Sequence, residues 1–165
     1  IGCFHPIKYS NTALLNKKGW SGINIDLNKV SIEFFNACRK DDLNITACLS
    51  DKKEDVTIYI DSEFSALNSI YLQNYKNFKF KKLKKMKIQT KVFSELVEDS
   101  FDFLNIDCEG NDYKIIKTID LKKYKPKLIN IEVSKENKNY IYNYLNQNGY
   151  ELLTIKSLSH IFKIR

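Results

Sequence analysis

The chain has 165 residues, enough for one compact domain with its own core, and its apolar fraction of 43% is ordinary for a globular protein. Glycine and proline are scarce, which argues against extended disorder, and no apolar run approaches the roughly 18 residues a membrane span needs. The net charge of +7 admits nucleic acid, a membrane surface or an anionic substrate, but lysine, asparagine and isoleucine are abundant together, which reads as coding bias before it reads as a designed patch.

The chain opens on IGCFHP without a methionine, and a first strand and further residues are expected upstream of Ile1. SNTALLNKKG (10–19) predicts a helix, with Ser10 or Asn11 as its cap and Gly19 as its stop. WSGINID (20–26) predicts a short strand ending in Asp26, and KVSIEFFNACRK (29–40) carries apolar residues at helical spacing. NITACLS (44–50) reads as one strand, and DVTIYI (55–60) alternates in the β manner. SEFSALNSIYLQNY (62–75) is ambiguous between loop and short helix. KMKIQTKVF (85–93) alternates again, and SELVEDS (94–100) reads as a turn of helix. FDFLNID (101–107) is an apolar strand, followed by the helix NDYKIIKTI (111–119). KLINIEV (127–133) is a strand and KENKNYIYNYLNQNG (135–149) a helix closed by Gly149. YELLTIK (150–156) and HIFKIR (160–165) form a final antiparallel hairpin. Strands alternating with helices imply an α/β domain over residues 1–165, with a mostly parallel, doubly wound sheet.

Cys3, Cys38, Cys48 and Cys108 include no C-x-x-C pair, so neither a zinc ribbon nor a secreted disulfide framework is expected. Reduced thiols in the cytoplasm are the default, and no signal peptide is visible. The run KNFKFKKLKKMK (76–87) carries a rival reading, a noncatalytic module for nucleic acid or anionic glycan, with Phe78, Phe80 and Leu83 stacking or packing. Its plainer reading is a solvated loop whose apolar residues dip inward.

In open α/β sheets ligands bind beyond the carboxyl ends of the strands, and here IGCFHP, NIDLN, ACLSD and NIDCEG supply those ends. Gly2 permits a tight turn and a close backbone approach. The triple-glycine G-x-G-x-x-G fingerprint is absent, which disfavours a pyrophosphate cofactor and with it a nicotinamide-dependent oxidoreductase. Asp26, 24 residues after Gly2, is placed to accept hydrogen bonds from ribose hydroxyls; the alternative is an ordinary turn aspartate. His5 reads as general base, as substrate contact or as a surface histidine. Glu132 lines the acceptor side or stands in solvent. Tyr113 and Lys117 match Tyr-x-x-x-Lys of short-chain dehydrogenases, a match best read as chance without the glycines.

The segments IGCFHPIKYSNT, GWSGINIDLN, ACLSD and FLNIDCEGNDYKIIK together resemble the FkbM-type S-adenosylmethionine-dependent methyltransferases, across nearly the whole chain, with IDCEG the most specific piece. The family's leading aspartate would fall just before Ile1. The resemblance implies a Rossmann-like fold, S-adenosylmethionine as cofactor and methylation of a hydroxyl on a sugar or other small metabolite. It places Gly2, Cys3, Ser10, Asn11, Asp26, Leu27, Leu49, Ser50 and Asp107 against the cofactor, and gives Asp107, Glu109 and His5 catalytic roles, with no resident metal. A divalent ion on Asp107 and Glu109 is the lesser alternative. The plain alternative for those two carboxylates is that they cap the next helix, which explains one of them more easily than both. Acceptor specificity is expected in residues 61–92.

Overall fold

The computed structural model describes residues 1–60, 62, 65, 70, 71 and 83–165. It divides into two compact units, Ile1–Lys91 and Val92–Arg165. Residues 76–82 of the basic run, and most of the segment expected to set acceptor specificity, lie outside the described residues.

In the first unit, helix α1 (Ala13–Lys17) precedes strand β1 (Ile23–Asp26) and helix α2 (Lys29–Cys38). The α2 helix starts where Asn28 Oδ1 accepts the Val30 N–H at 2.9 Å, the usual way to satisfy an orphan donor of the first turn. Ile32 and Phe35, one helical turn apart, are its buried apolar side chains. Strand β2 (Leu43–Thr46) runs parallel to β1, from Ile23 opposite Leu43 to Asp26 opposite Thr46. Alternate carbonyls of β1 point to opposite edges. Gly22 and Asp26 accept from Leu43 and Ala47 on the β2 side, while Ile25 accepts the Gly2 N–H at 2.9 Å on the other. The chain start therefore lies along β1 opposite β2.

The segment expected as one strand at 44–50 serves two ladders. Beyond β2, Ala47 still bonds to Asp26, and then β3 (Cys48–Leu49) pairs in parallel with β5 (Lys84–Lys91). Strand β4 (Asp55–Ile60) runs antiparallel to β5, with Ile58 the buried residue of its alternation.

The second unit opens with a single 3-10 turn, Phe93–Glu95. Strand β6 (Phe103–Ile106), helices α3 (Asp112–Ile116) and α4 (Leu121–Tyr124), strand β7 (Leu128–Glu132), helix α5 (Lys138–Gln147) and strands β8 (Tyr150–Lys156) and β9 (Ser159–Ile164) follow. The sheet order is β6-β7-β9-β8, with β6 and β7 parallel and the other two pairings antiparallel. The expected hairpin is present. Its core has Ile106, Ile129, Ile131, Ile141 and Leu145 fully buried, and Tyr150 completes it by donating its hydroxyl to the Pro126 carbonyl at 2.7 Å. The α4 helix has no counterpart among the elements read from the sequence. It is one turn long, started by Asp120 accepting the Lys122 and Lys123 N–H groups, and Lys125 in the left-handed region (φ 47°) ends it before Pro126.

Among the described residues, three ladders are parallel and three antiparallel. The architecture is mixed α/β, without the parallel majority expected from strand–helix alternation. The hairpin β8–β9 and the pair β4–β5, whose wet face gives their alternation, supply the antiparallel share. No described helix is long and apolar enough to cross a membrane.

Candidate active site

Strands β6 and β7 end side by side, with Ile106 opposite Ile131. Asp107 and Glu132 stand at these neighbouring carboxyl ends, where ligands of α/β sheets bind. Between β6 and α3 the chain turns through Glu109 (φ 51°) and Gly110 (φ 96°), two successive left-handed residues. Glycine takes that conformation without cost, whereas at Glu109 it is a strained choice.

Asp112 holds the turn in this shape. Its Oδ1 accepts the Cys108 N–H at 2.8 Å and its Oδ2 the Gly110 N–H at 3.0 Å, and the residue is fully buried. The backbone donors ahead of α3 thus go to Asp112, a residue the sequence reading passed over. The spacing D-x-E-x-x-D was the available signal.

Burial raises the pKa of every carboxyl group here, and neighbouring carboxylates add to the rise at Glu109, Asp112 and Glu132. Burial pushes Glu109 up to about 7, with Asp107 and Asp112 adding to the shift. Burial, then the charges of Asp112, Asp107 and Glu109, pushes Glu132 up to about 8. Burial also pushes Asp112 up to about 6 and raises Asp107 above the ordinary carboxylate range. Glu132 takes a hydrogen bond from the Glu109 backbone, while its Oε2 is buried with no protein hydrogen-bond partner. Near neutral pH the cluster carries protons that exposed carboxylates would have lost. Among the described residues no group of three or more His, Cys, Asp or Glu side chains has the geometry to hold a metal ion.

A carboxyl whose pKa is raised on folding binds more protons folded than unfolded. Its contribution is favourable below the unfolded value and is lost as pH rises through the folded one. For Glu132 that window runs from 4.5 to about 8. Glu132→Gln is therefore expected to gain on the order of 1–3 kcal/mol relative to wild type between pH 5 and pH 9, a figure reduced for partial solvation and coupling. Urea unfolding at the two pH values measures it, and an equal pH dependence in both proteins would remove Glu132 from the cluster.

In the first unit Asp26 ties the chain start to β1. Its Oδ2 accepts the Phe4 N–H and its Oδ1 the Asn28 N–H, both at 2.8 Å. Burial raises its pKa, opposed by these backbone donors. The Cys3 backbone hydrogen-bonds to the same carboxylate, so three backbone donors use it and one lone pair is left for a ribose hydroxyl. Gly2 (φ 67°) and Phe4 (φ 48°) are both left-handed, which lets the chain start bend around the carboxylate.

Cys3 and Cys48 both feel Asp26, and burial pushes their thiols up to about 12 and about 11. Such thiols stay neutral, as packing groups do. Leu49 and Ser50 are buried, Ser50 placing its hydroxyl 3.3 Å from Asp51; Leu27 is half-buried and Asn11 exposed.

His5 Nδ1 accepts the Ile7 and Lys8 N–H groups, both at 3.0 Å. A neutral ring used in this way carries its proton on Nε2. The ring lies 5.6 Å from that of Phe34. Ser10 is engaged as well: its Oγ accepts from Arg39 at 3.0 Å. Arg39, which the sequence reading did not single out, also reaches Thr12 Oγ1 at 2.8 Å and the Pro6 carbonyl.

No curated protein and no solved structure matches the chain. The family model described as the methyltransferase FkbM domain matches residues 2–152, a span from the bent chain start through the carboxylates of β6 and β7 and into β8. With that coverage, the chain belongs to the FkbM methyltransferase domain family.

Proposed function

We propose that this methyltransferase uses S-adenosylmethionine and methylates a hydroxyl of a sugar or other small metabolite. The observation that carries the reading is a carboxyl held near neutrality, Glu109 at about 7, beside Asp107 at the mouth of β6. A base works best when its pKa lies near the working pH. The donor set fits the cofactor: carboxylates suit its cationic sulfonium and ammonium groups, and Asp26 suits ribose hydroxyls. When bound, it supplies a methyl group on a sulfonium. Asp107 orients the acceptor hydroxyl or holds the ammonium. Glu109, in its carboxylate form, would accept the proton of the acceptor hydroxyl. Glu132, joined to the Glu109 backbone, keeps that side chain in place. His5 is assigned an Nε2–H donor role toward substrate, since its other nitrogen is used by the turn.

The architecture that goes with this reading is a Rossmann-like α/β fold with the antiparallel hairpin β8–β9 at its C-terminal end. The parallel pairs β1–β2, β3–β5 and β6–β7 support it. The four cysteines outside any disulfide, two of them with thiols held neutral by burial, suit a reducing compartment such as the cytoplasm.

Calorimetry with S-adenosylhomocysteine tests the cofactor assignment. Asp26→Ala is expected to weaken binding by roughly 1.5–3 kcal/mol, the scale of a charge-assisted hydrogen bond. An unchanged affinity would take Asp26 out of the site, and no binding by the wild-type protein would overturn the cofactor reading.

A further inference from the structure

Strand β8 is an edge of its sheet among the described residues, and past Tyr150 every residue of it is exposed. Leu152, Leu153, Ile155 and, in the turn, Leu158 are 40%, 51%, 48% and 54% exposed. A long edge strand with apolar side chains is a template for another strand, which proteins blunt with proline, with lysine or with a bulge. This strand has no proline; its Lys156 and its bulge at Leu153 restrict which strand can pair with it.

The register of β8 shows what fits it. Leu152 lies opposite Phe162 and Thr154 opposite Ile161, so Leu153 is an extra, bulged residue. The bulge shifts the alternation of faces by one. Tyr150, Leu152 and Ile155 share one face with Ile164, Phe162 and His160, while Glu151, Thr154 and Lys156 share the other with Lys163, Ile161 and Ser159. Suppose a second copy of β8 pairs antiparallel about a two-fold axis between residues 153 and 154. Leu152 then falls opposite the copy's Ile155, and Glu151 opposite the copy's Lys156, each pair on a common face. Without the bulge, residues 151 and 156 would project from opposite faces and this register would be barred. The strand is thus complementary to itself in charge and in apolar side chains, the condition for an isologous contact.

We propose that two copies of this chain associate through β8, joining their four-stranded sheets into one of eight strands. The occupant of the edge is a second copy, chosen by the two symmetry-related Glu151–Lys156 pairs. Glu151 already meets Lys163 within its own chain at 3.1 Å, an exposed contact that leaves its carboxylate able to accept a second cation. The family match ends at residue 152, so most of this strand lies beyond the matched residues, and the proposal does not depend on the methyl-transfer reading.

Sedimentation of the full chain over a wide concentration range tests it. The expected result is a monomer–dimer equilibrium that Lys156→Glu weakens at least tenfold and that the exchange Glu151→Lys with Lys156→Glu restores to within a few-fold. Both substitutions are of exposed residues, and far-ultraviolet circular dichroism verifies that the fold is kept. Leu153→Asp, on the bulge, is expected to weaken association as well. A wild-type protein monomeric at every concentration would overturn the proposal. So would a dimer indifferent to Lys156→Glu, or one that the exchanged pair fails to restore.

Discussion

Glu109→Gln is expected to lower the methyl-transfer rate by on the order of 10²–10⁴-fold while leaving S-adenosylhomocysteine affinity nearly unchanged. The substitution keeps size and hydrogen-bonding shape but removes the group that takes the proton, so the loss belongs to the transition state. In wild type the rate should climb as pH rises through about 7, where Glu109 gives up its proton, and the variant should lose that limb. The apparent value belongs to the cluster, since Asp107 and Asp112 share in setting it. Asp107→Asn should cost a comparable factor, with weaker cofactor binding if its carboxylate holds the ammonium. Asp112 is the wrong residue for this test, because its substitution frees the Cys108 and Gly110 N–H groups and the turn with them. An acceptor has first to be found by a search with labelled cofactor. Near-full turnover in both variants would sink the base assignment and return Asp107 and Glu109 to a local structural role.

The strain in this turn fits such a role. Glu109 sits at φ 51°, where a non-glycine residue persists only if its surroundings fix it. Asp112 grips the backbone on both sides, and Glu132 takes the N–H of Glu109 itself. Burying several carboxylates together costs stability at alkaline pH, and a cationic ligand would relieve that cost. The same arrangement that disfavours the empty site therefore favours binding of a positively charged cofactor.

The sequence makes local features legible and long-range ones not. Apolar runs closed by acids located β1 and β6, and period-two alternation located β4 and β5, because those signals lie within one element. The final hairpin was legible for the same reason, with β8 at the expected residues and β9 beginning one residue earlier than read. The split of 44–50 between β2 and β3 was not legible, since a strand's change of partner leaves no mark on its own alternation. The α4 helix is a single turn, too short for any helical period to register. At the candidate site, Asp26, Asp107 and Glu109 announced themselves as acids after apolar strands. His5 announced itself only as a histidine, and its use as an acceptor for the Ile7 and Lys8 N–H groups follows from a backbone turn that spacing does not encode.

Loss of Arg39 should cost the first unit several kcal/mol, on the order of a broken buried ion pair. Arg39 is one of two arginines in a chain otherwise supplied with lysine, and its side chain is 3% exposed. Its guanidinium reaches Thr12 Oγ1 at 2.8 Å, Ser10 Oγ at 3.0 Å and the Pro6 carbonyl, and lies 4.8 Å from the centre of the Phe35 ring. Asp42, equally buried, stands 3.9 Å away and accepts in turn from the Gly22 N–H and from Asn24 Nδ2. The planar fork joins the loop after the chain start to the end of α2 and to the entry of β2, contacts that span 27 to 33 residues of sequence. Arg39→Ala would leave Asp42 without its cation and the Pro6, Ser10 and Thr12 oxygens without their donor, and is expected to cost about 3–5 kcal/mol, the scale for breaking a buried pair from one side. Arg39→Lys keeps the charge but replaces a rigid fork with one ammonium, which cannot hold three divergent acceptors in the same geometry. It should recover less than half of that loss. Urea unfolding measures both, and S-adenosylhomocysteine binding to the still-folded Lys variant reports whether the loop from Pro6 to Thr12 must be fixed for the cofactor to bind. A loss below about 1 kcal/mol in the alanine variant, small beside the buried-pair scale, would show that the loop is held by its own turns instead.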